Sequence, residues 1–289
     1  MGMSLASVVM ASVAPMTHAA ILKDRTQAKN RLVFYFTATG NSLFVAKQFS
    51  DTPLSIPQEL KKTELSYEAD EIGFVFPDYA ASAPLIVREF LTKATFKARF
   101  MFSVITYGNL HVEVSEWWNR YAKEHGVTFH YIKPILMVDN YLHVFDMNEQ
   151  MKMDKHTEES LAAILKDVSE QRQYIQPSEM NRFNSEMLEG LRSAHFGITA
   201  DKLLELRTDR CIECTTCSNV CPHKNFSLTD EGLTFGGKCE YCLACVHNCP
   251  QKALTLKSQR PGWPGERNPE ARYRNPNISL NDIIRSNRQ

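Results

Sequence analysis

Apolar residues near the start of this chain come in short, dense runs. Leu32–Phe36, Ile72–Phe76 and Phe100–Thr106 are nearly continuous hydrophobic stretches rich in β-formers. Runs of that kind suit strands buried on both faces of a parallel sheet. With weaker runs, they predict strands near 32–37, 54–57, 72–77, 100–106 and 127–137. Amphipathic spacing between and after them predicts helices near 41–51, 83–94, 112–125 and 156–175. Strand alternating with helix argues an α/β fold, a doubly wound parallel sheet of order 2-1-3-4-5 with right-handed crossovers.

The pattern changes after residue 138. Lys155–Tyr174 and Ser178–Leu206 are charged and helically periodic, with Pro177 between them, so 139–206 reads as a helical bridge. Residues 258–289 form a tail with Pro261, Pro264, Pro269 and Pro276, whose Ile278, Leu280, Ile283 and Ile284 suggest that its end docks. Residues 1–30 read as a disordered extension. Met1–Ala20 is apolar and small, like a weak signal peptide, but it has no basic residue ahead of Leu5–Ala14 and no twin arginine. Broken by Pro15, it is too short to span a membrane, and no other stretch comes closer.

The cysteines change the picture most. All eight fall into two copies of one spacing: Cys211-x2-Cys214-x2-Cys217-x3-Cys221-Pro222 and Cys239-x2-Cys242-x2-Cys245-x3-Cys249-Pro250. Paired C-x2-C alone would leave zinc open, and disulfides would suit a secreted chain. The repeated three-residue step before Cys-Pro resembles the bacterial two-cluster ferredoxin pattern and points to two [4Fe–4S] clusters. That resemblance implies a small α+β 2[4Fe–4S] ferredoxin domain over 207–257. It also implies an exchange of ligands, with Cys211, Cys214, Cys217 and Cys249 on one cluster and Cys239, Cys242, Cys245 and Cys221 on the other. His223 and His247 lie within the motifs, where hydrogen bonds from them to sulfur would tune the potential.

Charge excludes one class of partner. Lys and Arg number 33 against 33 Asp and Glu, so nothing electrostatic favours nucleic acid. Oxygen-sensitive clusters without disulfide-type cysteine usage imply a reducing, cytoplasmic setting.

A second cofactor site follows the first strand. Thr37-Ala38-Thr39-Gly40-Asn41-Ser42 joins that strand to a helix, and a hydroxyl-rich turn at a helix N-terminus cradles an anion. It is neither a Walker loop nor a dinucleotide fingerprint, so a monophosphate fits better. The hexapeptide resembles the phosphate loop of flavodoxins, which holds FMN. Two further loops follow predicted strands: Pro77-Asp78-Tyr79-Ala80 and Tyr107-Gly108-Asn109. They resemble the loops that sandwich the flavin ring, with Tyr79 in the stacking position.

Together the halves resemble flavodoxin–ferredoxin fusion proteins, with a flavodoxin-like FMN domain over 31–138. Asn140-Tyr141 and Asn275-Pro276 look like further family features. The resemblance implies an electron-transfer iron–sulfur flavoprotein served by a redox partner protein. An oxidoreductase reducing a small substrate at FMN, with 139–206 covering the pocket, is one alternative. A flavin-free redox-sensing interaction module is another. Flavodoxins commonly carry Gly in the second loop, where a peptide flips toward the reduced flavin; here the loop continues Ala80-Ala81-Ser82. Because alanine resists positive φ, the expected flavin behaviour leans toward two-electron chemistry. A charged Asp78 beside the ring would further lower its potential.

Overall fold

The computed structural model describes residues 30–179, 183–258 and 265–289. Met1–Ala20, the rest of the expected extension to residue 29, and Pro261 and Pro264 lie outside the described residues. Strand β1 (Arg31–Tyr35) leads into helix α1 (Asn41–Phe49), followed by β2 (Leu54–Ser55), α2 (Ile56–Glu59), β3 (Ser66–Pro77), α3 (Leu85–Lys93), β4 (Thr95–Tyr107), α4 (Val114–Glu124) and β5 (Tyr131–Leu136). Then come α5 (Met147–Gln150), α6 (Thr157–Ser169), β6 (Tyr174–Ile175), α7 (Ser185–Phe196) and α8 (Ala200–Leu203). The cysteine-rich segment supplies β7 (Leu204–Leu206), α9 (Thr216–Val220), β8 (Phe226–Thr229), β9 (Gly232–Phe235), α10 (Ala244–Asn248) and β10 (Leu254–Leu256), and α11 (Leu280–Asn287) ends the chain.

The main sheet runs β2-β1-β3-β4-β5-β6, and every pairing in it is parallel. Alternation sorts its side chains between two layers. Val33, Tyr35, Val75, Phe102, Val104 and Tyr131 face α1 and α6. Phe34, Phe36, Phe74, Phe76 and Ile132 face α3 and α4. Trp118 is fully buried in that second layer, while Trp117 only packs against it from outside.

Two expectations need correction. The sheet has a sixth strand, and it comes from the segment expected to be a helical bridge. In α6, Leu161, Ile164 and Val168 join the core, and β6 then pairs Tyr174 with Tyr131 and Ile175 with Ile132. A strand of two residues leaves no apolar run to find, so its charged surroundings read as helix. The third and fourth strands are also longer than expected, paired from Ser66↔Thr95 to Pro77↔Thr106. Their outer halves alternate polar and apolar residues, with Lys97–Glu68 (2.7 Å) and Arg99–Asp70 ion pairs on the wet side.

The cysteine-rich segment forms two two-stranded antiparallel sheets, β7–β10 and β8–β9. Each motif's third cysteine lies in a five-residue helix, Cys217 in α9 and Cys245 in α10. The segment packs on the main sheet: Val220 and Ala244 share a core with Val33, Leu43, Ile278 and Ile283. Helix α11 starts with a Ser279/Asp282 capping box. It lies beside β1 and β2, where the hydroxyls of Ser286 and Tyr35 share a hydrogen bond of 2.7 Å.

Candidate functional site

The parallel strands all end on one side, where open α/β sheets leave a crevice. Gly40, between β1 and α1, has φ 103°, a left-handed angle that a β-carbon resists. That carbon would also lie 2.9 Å from Ile278 Cβ. The Gly40 N–H donates to Thr37 Oγ1 at 3.1 Å. No side chain caps α1, and its first turn holds no acidic residue, so its leading N–H groups suit an anion.

Remote residues shape this turn. Asn140 Nδ2 donates to Thr39 Oγ1 at 2.6 Å, and the Asn275 N–H donates to the Thr39 carbonyl at 2.8 Å. Asn41 Oδ1 accepts from Tyr273 at 2.7 Å and Asn275 at 3.1 Å. The Asn41 side chain thus braces the loop from behind. Ser42 shares a hydrogen bond of 2.9 Å with Thr106, so it too is committed within the protein.

The second loop departs from expectation. Ala80 and Ala81 both hold positive φ, at 53° and 56°. The loop therefore already holds the left-handed backbone that alanine was expected to resist. Three bonds enforce it: the Tyr79 N–H to the Ser82 carbonyl at 3.0 Å, the Ser82 N–H to Asp78 Oδ1 at 3.1 Å, and Arg192 Nη2 to the Ala81 carbonyl at 3.0 Å. Burial pushes the Asp78 carboxyl well above the usual carboxylate range, which weakens the charge effect expected of it. In the third loop, a β-carbon on Gly108 would lie 2.4 Å from Asp139 Cα, so only glycine admits that approach.

These loops wall a cavity of about 840 Å³. Thr37, Ala38, Thr39, Asn41, Ser42, Pro77, Asp78, Tyr79, Ala80, Tyr107, Gly108 and Asn109 all line it, and of the expected residues only Gly40 does not. The volume falls within the range of small-molecule sites. A hydroxyl-rich turn, an uncapped helix start and two aromatic loops are the kinds of group that an FMN would need: Thr37–Ser42 could hold its phosphate, and Tyr79 and Tyr107 could lie near its ring.

The sequence did not single out the rest of the wall residue by residue, although one alternative had 139–206 covering the pocket. Val138–Tyr141 and His143–Phe145 contribute, as do Leu188, Leu191, Ala194 and His195 of α7, and Tyr241, Cys242 and Leu243 from the second cysteine motif. Asn140-Tyr141 and Tyr241 stood in motifs already singled out; α7 carried no signal. His195 stacks on Tyr241 with ring centroids 4.7 Å apart at 11°, and lies 5.3 Å from the Tyr79 ring. Its Nε2 is buried without a hydrogen-bond partner among the described residues. Burial and the nearby Arg88 hold its pKa down at about 3.

The cysteines gather around two small cavities of about 20 Å³ each. Cys211, Cys214, Cys217 and Cys249 line the first; Cys221, Cys239, Cys242 and Cys245 line the second. Each set takes its fourth member from the other motif, and all eight thiols are free of disulfides. Among the described residues no group of three or more His, Cys, Asp or Glu could hold a single metal ion. Four thiols lining one cavity are the donor set that a [4Fe–4S] cluster would need. Burial pushes the Cys217 and Cys239 thiols up to about 12, so metal loading would release protons.

The motif histidines bond elsewhere than expected. His223 Nε2 meets Glu240 Oε2 at 2.7 Å, and Glu240 Oε1 accepts from the Ile86 N–H at the start of α3 at 3.3 Å. His247 Nδ1 accepts from the Tyr273 N–H at 3.1 Å and its Nε2 meets the Asn140 carbonyl at 2.9 Å. Backbone groups from distant segments claim these rings, so they brace the junction between the sheet and the cysteine motifs. No protein-family model matches the chain, and no curated protein matches it. Among the described residues no helix is long and apolar enough to cross a membrane.

Proposed function

We propose that the chain is an electron-transfer iron–sulfur flavoprotein holding two [4Fe–4S] clusters and FMN. The observation that carries this reading is a shared wall: Cys242 and Leu243 line both the second cysteine cavity and the large cleft. A cluster ligand beside a flavin site gives electrons a short path. The first cysteine cavity has no lining residue in common with the cleft, and Cys214 beside it is exposed. It therefore suits exchange with a redox partner protein, and the second cavity suits delivery to the cleft.

The roles of the chain's own residues follow. The eight thiolates would hold iron, and Thr37–Ser42 would hold phosphate with backbone N–H groups. Tyr79 and Tyr107 would flank the ring, and Glu240 would fix the cysteine motif against α3. A bound flavin supplies the interchange between one-electron and two-electron chemistry. Holding both centres in one chain replaces a diffusive encounter with a high effective concentration.

Anaerobic analysis of iron, sulfide and flavin tests the reading. About eight irons and one FMN per chain are expected. Zinc in place of iron would remove the clusters from the reading. Full iron with no flavin, even after FMN is added, would favour the interaction-module alternative.

A further inference from the structure

The three flavin-type loops account for only part of the large cleft. Leu188 and Leu191 of α7, with Val144 and Phe145, wall the remainder and have no counterpart in a phosphate or ring-binding loop. Three apolar side chains that line the cleft are exposed: Leu110 at 57%, Val144 at 48% and Leu191 at 45%. Exposed apolar groups gathered around a concavity mark a binding site. A walled cleft takes a small molecule more readily than a flat protein face.

Charge narrows what would enter. Among the described residues, none that lines the cleft is Lys or Arg. Cations behind the wall are engaged: Lys155 Nζ donates to the Gly108 carbonyl at 3.1 Å, Arg192 pairs with Glu113 at 2.6 Å, and Arg88 lies over the Trp117 and Phe196 rings. The carboxyls present are Asp78 and Asp139, both pushed toward their neutral forms by burial. Away from the Thr37–Ser42 turn, an anion would find no cationic side chain on the wall, and a cation little reward. The stacked His195 and Tyr241 rings, which line the same cleft, suit a flat aromatic body laid against the pair.

We propose that the α7 end of the cleft binds a second molecule beside the flavin: uncharged, largely apolar and flat. The inference rests on the flavin reading of the same cleft. It concerns binding, and it makes α7 the wall that selects the ligand.

The test uses the full chain with its iron and flavin, oxidised, and two probes of one shape: neutral 2-acetylnaphthalene and anionic naphthalene-2-sulfonate. Equilibrium dialysis should give saturable binding of the neutral probe, at least about tenfold tighter than the anionic one. Ala194→Trp should fill this end and weaken the neutral probe about tenfold with flavin content unchanged. Leu191→Lys, on the exposed rim, should strengthen the anionic probe about tenfold and keeps the test independent of core packing. Absence of saturable binding, equal affinity for both probes, or loss of flavin in Ala194→Trp would overturn the proposal; the last would mean that flavin fills this end. A wild-type chain that retains iron but takes up no flavin would instead overturn the reading beneath it.

Discussion

Between β1 and β6, the side chains of Phe34, Phe36, Phe74, Phe76, Phe90, Phe102 and Trp118 are wholly out of water. Between β7 and β10, the longest strands have four residues and the longest helices five. The first region buries enough apolar surface to hold itself together. The second is smaller, and its own apolar cluster, which includes Phe226, Leu243, Val246, Leu254 and Leu256, adjoins cavities lined by thiols. Regions of that size ordinarily need a metal. On the function proposed above, one chain would carry a half held by burial and a half held largely by ligation, joined by the core that Val220, Ala244, Ile278 and Ile283 share with the sheet.

Removing iron should break the comparison open. Anaerobic chelation is expected to abolish hydrogen-exchange protection across 204–256 while β1, β3 and β4 stay protected. Protection that survives chelation would mean that the cysteine-rich half stands without metal. The mirror-image change is Phe74→Ala, which should cost about 3–5 kcal/mol in urea unfolding and leave iron content unchanged. A smaller effect comes from His195, where the halves meet. Its folded pKa is about 3 against an unfolded value of about 6.5. Between those values the unfolded state binds more protons, so stability falls as pH drops, by up to about 1.4 kcal/mol per pH unit. Above pH 6.5 His195 contributes no slope. His195→Phe should flatten the dependence between pH 6.5 and 5 in urea unfolding, and an unchanged slope would refute the assignment. The smallest effect belongs to the second loop. Ala81→Gly should raise stability by about 0.5–1 kcal/mol, because glycine relieves the positive φ at some entropic cost. A loss of stability would show that the bonds to Ser82 and Arg192 leave no strain to relieve.

The two halves were also unequally legible. Strands such as Val33–Tyr35 and Phe74–Phe76 announce themselves because burial on both faces demands unbroken apolar runs. The three loops could be placed because they follow those strands. The outer halves of β3 and β4 escaped notice because they alternate, Tyr67 and Phe96 inward and Glu68 and Lys97 outward. The two-residue β6 had no pattern of its own. Helix α7 looked like any charged helix, and only its packing through Arg192, Leu188 and His195 makes it part of the cleft. His223 and His247 were expected to reach sulfur; their partners are Glu240, Asn140 and Tyr273, and no local spacing encodes contacts over such distances.

The bond from Asn287 to the Thr37 carbonyl spans 250 positions, and that from Tyr273 to Asn41 spans 232. During synthesis, the turn at Thr37–Ser42 must wait for Tyr273 and Asn287 before these bonds can form. Closing so long a loop is slow, and domains generally fold in the order they are made. The sheet can form while the cysteine motifs are still being translated, but the turn at Thr37–Ser42 cannot reach its final form until α11 arrives. The bonds of that turn are therefore timed by α11, and the cysteine-rich segment, which lies between the two in sequence, is made before that helix can dock.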